Sequence, residues 1–262
     1  MRRPLKLLGV ILLLAGVGLG IMAVSQRAPK PVAPPATLPS VAPSPTPTGP
    51  LTLKVPDDFF IEQLRTRPYS AGPITQLKQL ADSPRFTTYQ ISYPSDGLTI
   101  TGLLNVPKGD GPFPAIILNH GYYPTTTYRQ GDGTKREMDY LADRGYLTLA
   151  PDYRNYAGST RYPDAVVARP AYPIDVISAG EALKNDNRVQ PDRLGLWGHS
   201  MGGGITLKVL AIKPNDYKAA VVYGSMSANE VDNYNRIANV WNRPYGAEFA
   251  QRFGTPESSP SN

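Results

Sequence analysis

The stretch Leu194-Gly-Leu-Trp-Gly-His-Ser-Met-Gly-Gly-Gly204 carries most of the information on fold in this 262-residue sequence. The run Arg193–Trp197 predicts a buried strand, and the run Ile205–Ala211 predicts a helix directly after it. Between them, Gly198-His199-Ser200-Met201-Gly202 matches the pattern GxSxG. That pattern places its serine on a tight strand-to-helix turn, where any side chain at the flanking glycines would collide with neighbouring backbone. We therefore predict that Ser200 projects above a sheet as a nucleophile.

A second segment, Asn119-His120-Gly121-Tyr122, follows the apolar run Pro114–Asn119, which predicts a strand buried on both faces. In hydrolases with the GxSxG turn, one oxyanion donor comes from the loop after an early strand and the other from the residue after the nucleophile. The candidates here are the backbone N–H groups of Tyr122 and Met201. His120 and Gly121 are expected to shape the loop, because the base of such enzymes follows the nucleophile in the sequence.

Strand-like and helix-like segments alternate along the chain, which predicts an α/β domain with a mostly parallel sheet and helices on both faces. Ahead of them, Phe86–Tyr93 and Leu98–Val106 flank the turn Pro-Ser-Asp-Gly and predict an antiparallel hairpin. The run Ile74–Ala81 predicts a short helix. The remaining predicted elements are helices over Lys135–Arg144 and Ile174–Lys184 and strands over Tyr146–Ala150 and Ala219–Tyr223.

The GHSMGG motif, the Asn-His-Gly turn and the segment Ala150-Pro-Asp-Tyr-Arg154, followed by Gly158-Ser159, resemble the α/β-hydrolase superfamily. The resemblance is to prolyl-oligopeptidase-like (S9-type) serine peptidases and related dienelactone-hydrolase-like esterases, and covers roughly residues 86–262. It implies an acyl-enzyme on Ser200, formed from a small peptide or ester substrate without a cofactor. Near the site, Asp152 and Arg154 are expected to form a structural ion pair, and Asp175 is expected to anchor its helix.

The histidine and cysteine counts restrict the chemistry. Two histidines and no cysteine exclude thiolate catalysis and Cys-ligated metals, and the histidine contexts do not fit a zinc motif. His199 adjoins the serine, but adjacent residues on such a turn point in different directions, so it is expected to support the site or face substrate. The family order requires an acid and then a histidine after the nucleophile, yet no histidine follows Ser200. Glu230 and Asp232 are either acid candidates or ordinary helix-surface charges.

These departures predict a C-terminally truncated hydrolase domain whose last strands are missing. Without a base, the serine hydroxyl is a poor nucleophile, so weak or no activity is expected of the chain as written. The missing strands would also leave Ala219–Tyr223 as an exposed apolar edge.

Charge separates the N-terminal region from the rest. The chain has 27 basic and 21 acidic residues, and five of the basic but none of the acidic ones lie within residues 1–50, so the excess does not indicate nucleic-acid binding. Residues 1–27, with the uncharged run Leu7–Val24 behind a basic flank, predict a membrane anchor or a signal peptide. Residues 28–50 hold nine prolines and predict an extended linker. The domain over 51–262 is then expected outside the cytoplasm, anchored to the membrane or secreted.

Three functional hypotheses follow from the sequence. The first is an extracytoplasmic serine hydrolase, either a peptidase or an esterase. The second is a binding or pseudoenzyme domain on a stalk, with a vestigial hydrolase site and tyrosines that grip a peptide or sugar. The third is a catalytic domain completed by another chain. The retained serine and glycines favour the first, because a binding module does not need them. The oligomeric state is not predicted.

Overall fold

The computed structural model describes residues 60–255, except 228 and 242. The predicted anchor or signal segment over 1–27 and the linker over 28–50 lie outside the described residues. Within the described part of the chain, no helix is both long enough and apolar enough to cross a bilayer.

One sheet forms the centre of the described domain, and its strands run in the order β1-β2-β3-β5-β4-β6-β7. The strands are β1 (Thr75–Asp82), β2 (Phe86–Ser95), β3 (Leu98–Pro107), β4 (Phe113–Asn119), β5 (Leu147–Pro151), β6 (Val189–His199) and β7 (Ala219–Tyr223). The helices are α1 (Ile61–Thr66), α2 (Lys135–Ala142), α3 (Ala165–Ala168), α4 (Tyr172–Lys184), α5 (Met201–Ile212), α6 (Glu230–Asn235) and α7 (Pro244–Phe253), with a π-helical segment over Arg236–Val240.

The sheet has a parallel part and an antiparallel part. Strands β5, β4, β6 and β7 are parallel to one another, as predicted for alternating strands and helices. Strands β1, β2 and β3 add a meander, whose last strand pairs antiparallel with β5. The prediction of parallel strands holds for β5, β4, β6 and β7. It did not include the extension of the same sheet by the antiparallel strands β1, β2 and β3.

Helices cover both faces of the sheet. Helices α1, α4 and α5 pack on one face, whereas α2 packs on the other, against β3 and β5. Strand β4 shows the division, because Ile117 belongs to the larger buried cluster and its neighbour Leu118 to the smaller one. Successive side chains of a strand point to opposite faces, so a strand buried on both sides reads as a continuous apolar run. The predicted burial of β4 on both faces is confirmed.

The hairpin of β2 and β3 is confirmed, and its turn has a local cause. Asp96 and Gly97 both have positive φ angles, 49° and 73°. Two residues of that conformation form the kind of turn whose twist matches the strands of an antiparallel hairpin, and Asp-Gly is a preferred pair for it.

The helix predicted over Ile74–Ala81 is wrong, because this segment forms β1 at one edge of the sheet. Leu77 and Leu80 stand three residues apart, a spacing that imitates one face of a helix, but both are exposed in the strand. The segment instead pairs antiparallel with β2, with register irregularities along the ladder. Pairing with the next strand, β2, outweighs so weak a local pattern.

At the opposite edge of the described sheet lies β7. All five of its residues are exposed, including the apolar side chains of Val221 and Val222. The strand pairs with β6, and His199 stands opposite Tyr223. The predicted exposed edge is therefore present in the described residues.

Candidate active site

Ser200 occupies a strained turn between β6 and α5. Its φ and ψ are 54° and −119°, a conformation that residues with a side chain rarely adopt. The Ser200 N–H donates to the carbonyl oxygen of Tyr223 at 3.1 Å, and the Met226 N–H donates to the Ser200 carbonyl oxygen at 3.2 Å. The strain is held in place by backbone bonds from β7 and the segment that follows it. The half-buried serine stands at the carboxyl end of the parallel strands.

The glycines around Ser200 allow unusually close backbone contacts. A Cβ added at Gly198 would overlap the carbonyl oxygen of Gly202, and one added at Gly202 would overlap the carbonyl oxygen of Asn119. A Cβ at Gly203 would lie 2.6 Å from Ser225 Oγ. The GxSxG pattern predicts that side chains at these glycines would collide with backbone, and the structure identifies the backbone atoms concerned. One of them, the carbonyl oxygen of Asn119, lies at the end of β4.

Two side chains fasten the end of β4 to α5. The Asn119 amide donates to Thr206 Oγ1 at 2.9 Å, and Thr206 Oγ1 donates to the Gly202 carbonyl oxygen at 2.9 Å. Both side chains are buried, where hydrogen bonds are electrostatically stronger than in water. Sequence reasoning missed this role for Asn119 and Thr206, although a polar residue that ends an apolar strand run was a usable signal.

The loop after β4 meets the turn after β6 at Gly121. A Cβ added there would lie 3.3 Å from Ser200 Cβ and 3.4 Å from the carbonyl oxygen of His199. Among the described residues, the backbone N–H groups of Tyr122 and Met201 have no protein acceptor. One donor thus follows Gly121 and the other begins α5, where the helix dipole also favours negative charge. Two fixed N–H groups beside a serine hydroxyl are the chemical requirement of an oxyanion hole.

His120 is fully buried, and its ring lies among backbone carbonyls and tyrosine rings. Its Nδ1 lies 2.7 Å from the Gly121 carbonyl oxygen and its Nε2 lies 3.2 Å from the Asp152 carbonyl oxygen. The ring stacks on Tyr128 and Tyr153, with centroid distances of 4.5 and 4.3 Å. Burial lowers the pKa of His120 to about 4, against the opposing effect of the backbone carbonyls. The ring is therefore neutral at pH 7 and holds the shape of the loop.

His199 has a different environment. It is half-buried, and its ring stacks on that of Tyr223 at a centroid distance of 5.1 Å. Within the part of the chain that the structure describes, neither the His199 ring nor the Ser200 hydroxyl forms a side-chain hydrogen bond. His199 thus lies next to the serine without the contact that proton transfer requires.

Of the two acid candidates after β7, only Asp232 has a side chain that the structure describes. Asp232 is exposed, and its carboxylate accepts a hydrogen bond from Ser227 Oγ at 3.1 Å on the surface. The side chain of Glu230 lies outside the described residues. Asp232 therefore has the environment of a helix-surface charge.

The expected ion pair between Asp152 and Arg154 is wrong. Arg154 instead pairs with Asp175 at 2.7 Å, and both side chains are buried. Tyr153 and Asn155 have φ angles of 60° and 72°, so the chain turns sharply on either side of Arg154 and aims it away from Asp152. Asp175 also accepts the Arg154 backbone N–H at 2.9 Å, so it anchors α4 to this turn as predicted.

Asp152 is buried beneath the loop after β4. Burial raises its pKa, while hydrogen bonds from neighbouring side chains lower it. The donors are Thr101 Oγ1 at 2.6 Å, Gln130 Nε2 at 2.6 Å and the Tyr128 hydroxyl at 3.0 Å. With its carboxylate committed to these groups and its carbonyl oxygen facing His120, Asp152 belongs to the support of the loop.

A cleft of about 290 Å³ opens beside Tyr122. Two arginines from the segment between β5 and α4, Arg161 and Arg169, line it together with several tyrosines. Sequence reasoning noticed the tyrosines but not the arginines. Tyr128, Tyr153 and Tyr156 are buried and pack around His120, which is a structural role, whereas Tyr122 is exposed.

With this geometry in place, the comparisons with known proteins decide the family. Residues 114–260 match the family described as the alpha/beta hydrolase fold. The chain belongs to the alpha/beta hydrolase fold family. The predicted superfamily is confirmed, and the strained strand-to-helix turn at Ser200 is the one that alpha/beta hydrolases with a GxSxG motif contain.

Three relatives show the range of this alpha/beta hydrolase's similarities. An epoxide hydrolase of Caballeronia sordidicola is 32% identical over 110 residues, which cover 42% of this chain and 30% of that protein. Uncharacterized peptidase YuxL of Bacillus subtilis (strain 168) is 34% identical over 142 residues, covering 50% of this chain and 20% of that protein. The structure of an acetyl xylan esterase from Paenibacillus sp. R4 superposes with a TM-score of 0.53 at 20% identity, covering 78% of this chain and 70% of that one.

The chain thus spans less than a third of the length of these two curated relatives. The similarity to the esterase structure shows the fold alone. Because the relatives carry the names of different hydrolases, membership of the S9-type peptidases stays a prediction.

Proposed function

We propose that this alpha/beta hydrolase domain acts as a serine hydrolase with Ser200 as the nucleophile. The observation that carries the proposal is the strained Ser200 facing Gly121, with two backbone N–H groups, of Tyr122 and Met201, left without protein acceptors. In the proposed reaction, Ser200 Oγ attacks an ester or amide carbonyl, and the two N–H groups bind the oxyanion. The leaving group takes a proton and departs, and water then hydrolyses the acyl-enzyme.

The proposed activity is weak in these 262 residues. Both histidines of the sequence are accounted for, one buried in the loop after β4 and one stacked on Tyr223. Without a histidine to take the serine proton, the oxyanion hole and substrate binding still leave about 10³–10⁴-fold catalysis over water in enzymes of this kind. Turnover well below that of a complete triad is therefore expected.

The substrate class is proposed to be a small ester or peptide. Acyl transfer through a serine and an oxyanion hole serves both bonds, so the site itself does not favour one. The S9-type peptidase assignment is supported by the GHSMGG and Asn-His-Gly motifs and by the relative named as a peptidase. Action outside the cytoplasm is proposed from the basic flank and uncharged run Leu7–Val24, which are typical of an anchor or signal segment.

A second function is a binding domain with a vestigial site. It is favoured by one observation, namely that no histidine or carboxylate among the described residues hydrogen-bonds to the Ser200 hydroxyl. Such a domain would keep the turn as a structural feature and would bind a peptide or sugar without turning it over.

Turnover of p-nitrophenyl acetate separates these two functions. We expect slow release of nitrophenol by the unaltered chain and release at the buffer rate by Ser200→Ala. Ser92→Ala is the matched control, since Ser92 is half-buried in β2 and has no side-chain hydrogen bond among the described residues. Equal rates for the unaltered chain and Ser200→Ala would contradict the hydrolase function and would favour the second function, a binding domain.

A further inference from the structure

The cleft beside Tyr122 is lined by two arginines and by tyrosines, which form its walls. We call it the arginine cleft and define it by Tyr122, Tyr156, Arg161, Tyr162 and Arg169, with a volume of about 290 Å³. No carboxylate is among the described residues that line it. A cleft of this size holds a small organic group rather than a folded partner.

The charge of Arg161 is available inside the cleft. The side chain is exposed, and its Nη1 donates to the Asn155 carbonyl oxygen at 2.7 Å. That bond orients the guanidinium but does not neutralise it, because a carbonyl carries no net charge. The nearest acid along the chain, Asp164, caps α3 through the N–H groups of Val166 and Val167 and pairs with Arg252.

Arg169 connects the cleft to the proposed oxyanion hole. Its guanidinium lies over the ring of Tyr122, 5.1 Å from the ring centroid, an arrangement in which cation and ring attract each other. Tyr122 directly follows Gly121, where an added Cβ would lie 3.3 Å from Ser200 Cβ. Burial raises the pKa of Tyr156, and the positive charge of Arg169 opposes this rise, which places that charge beside the wall of the cleft.

The walls of the cleft are held in place. The Tyr156 hydroxyl donates to the Tyr123 carbonyl oxygen at 3.0 Å, so the wall is tied to the loop that contains Tyr122. The Tyr162 N–H donates to Asn155 Oδ1 at 2.5 Å. Fixed tyrosine faces pack against the apolar part of a small molecule, while guanidinium groups bind carboxylates through paired N–H donors.

We propose that the arginine cleft binds a carboxylate on the substrate, so that the preferred substrates are esters that also carry a free carboxylate, such as half-esters of dicarboxylic acids. This inference rests on the proposed function, because it assigns the cleft to substrate of the same site. In the reaction, the ester carbonyl lies at Ser200 while the distal carboxylate lies against Arg161 and Arg169. The carboxylate itself stays unchanged.

Binding is tested on Ser200→Ala, which does not consume the ligand. Monomethyl adipate and dimethyl adipate have the same carbon chain and differ in one free carboxylate. Calorimetric titration is expected to show the half-ester binding roughly tenfold or more tightly than the diester, as charged hydrogen bonds provide. The preference is expected to shrink as salt is added, because screening weakens exposed charges.

Variants of the two arginines test whether the arginine cleft causes the preference for the half-ester over the diester. Arg161→Gln and Arg169→Gln are each expected to reduce half-ester affinity roughly tenfold, with partial recovery in Arg169→Lys. Arg136→Gln, at an exposed arginine of α2, is the matched control and is expected to leave binding unchanged. Circular dichroism verifies that each variant is folded. Equal binding of half-ester and diester, or unchanged binding in both Gln variants, would overturn the proposal.

Turnover separates a failure of this inference from a failure of the proposed function. Mono-p-nitrophenyl adipate is compared with p-nitrophenyl hexanoate, a neutral ester of the same acyl length. Faster, Ser200-dependent hydrolysis of the adipate supports both proposals. If the two esters are hydrolysed at equal rates and both reactions require Ser200, the proposed role of the arginine cleft is contradicted, whereas the proposed hydrolase function is not. Half-ester binding without any Ser200-dependent hydrolysis contradicts the proposed function, and with it the assignment of the cleft to substrate.

Discussion

The turns after β4 and β6 follow neighbouring parallel strands, but they differ in backbone strain and in how their polar side chains are hydrogen-bonded. Their strands pair in parallel, with Asn119 opposite Gly198; His120 follows the end of β4, and His199 is the last residue of β6. In the first turn, both nitrogens of the buried His120 ring face backbone carbonyls. In the second, Ser200 is strained and its hydroxyl forms no hydrogen bond to any described residue. The first turn is a scaffold, and the second holds Ser200, the proposed nucleophile.

Gly202→Ala tests the contact between the two turns and has the largest expected effect. The added methyl group would overlap the Asn119 carbonyl oxygen and lie 2.6 Å from that of His120, and backbone cannot give way cheaply. We expect a loss of roughly 3–5 kcal/mol in the free energy of unfolding. Gly204→Ala, two residues along α5, is the control, since its Cβ would lie 3.3 Å from Met226 Cβ. Similar urea midpoints for the two variants would contradict the close approach.

The scaffold turn should make stability depend on pH. Burial lowers the pKa of His120 from 6.5 to about 4, so the unfolded chain binds the proton more readily between these values. The stabilisation is then complete above pH 6.5 and is lost as the pH falls towards 4, by about 3 kcal/mol at most. Urea unfolding across this range measures it, together with a histidine NMR titration of the folded protein.

His120→Asn is the control for this pH dependence. The raised pKa of the buried Asp152 acts in the opposite direction, because folded protein then binds the proton more readily and gains stability as the pH falls. Removing the imidazole should therefore flatten or reverse the slope. An NMR titration of His120 with a midpoint near its ordinary value of 6.5 would contradict the buried, neutral ring.

The strain at the second turn is measured by comparing Ser200→Gly with Ser200→Ala. Both variants lack the hydroxyl, but only glycine adopts a φ of 54° without steric cost. We expect Ser200→Gly to be more stable than Ser200→Ala by about 1 kcal/mol. The same pair at Ser92, inside β2, should show the reverse order, because glycine weakens a strand. Greater stability of the alanine variant at position 200 would mean that the turn is relaxed.

His199→Ala has the smallest expected effect. The ring is half-buried and its contact with Tyr223 is a stack on an exposed strand, so its loss should cost about 0.5–1 kcal/mol. Thermal unfolding of His199→Ala and His120→Ala, side by side, measures the contrast between the two turns. Equal destabilisation by both changes would contradict the division into scaffold and reactive turn.

Features with a local cause were predictable from the sequence. The turn at Ser200 follows from glycines placed between a strand and a helix, and the hairpin follows from Asp96-Gly97 between two β-rich runs. The burial of β4 on both faces follows from its uninterrupted apolar run. In each case the residues that set the conformation are neighbours in the chain.

Features that depend on tertiary pairing were not predictable. Strand β1 is a strand because it pairs with the edge of β2, the next strand, whereas the spacing of Leu77 and Leu80 imitates a helix face. Arg154 finds Asp175, 21 residues away, because the chain turns at positive φ angles on both sides of the arginine. The arginine cleft likewise depends on where a long segment folds back onto the loop after β4.

The most direct test of the central claim is the site of covalent modification by a fluorophosphonate, which reacts with activated serine hydroxyls. The folded chain is incubated with the reagent, and the modified peptide is identified by mass spectrometry, with urea-unfolded chain and Ser200→Ala as controls. Modification of the peptide that contains Ser200, slow in the folded chain and absent from both controls, is the predicted result. Modification spread over several serines, or equal in Ser200→Ala, would contradict the assignment of Ser200 as the nucleophile.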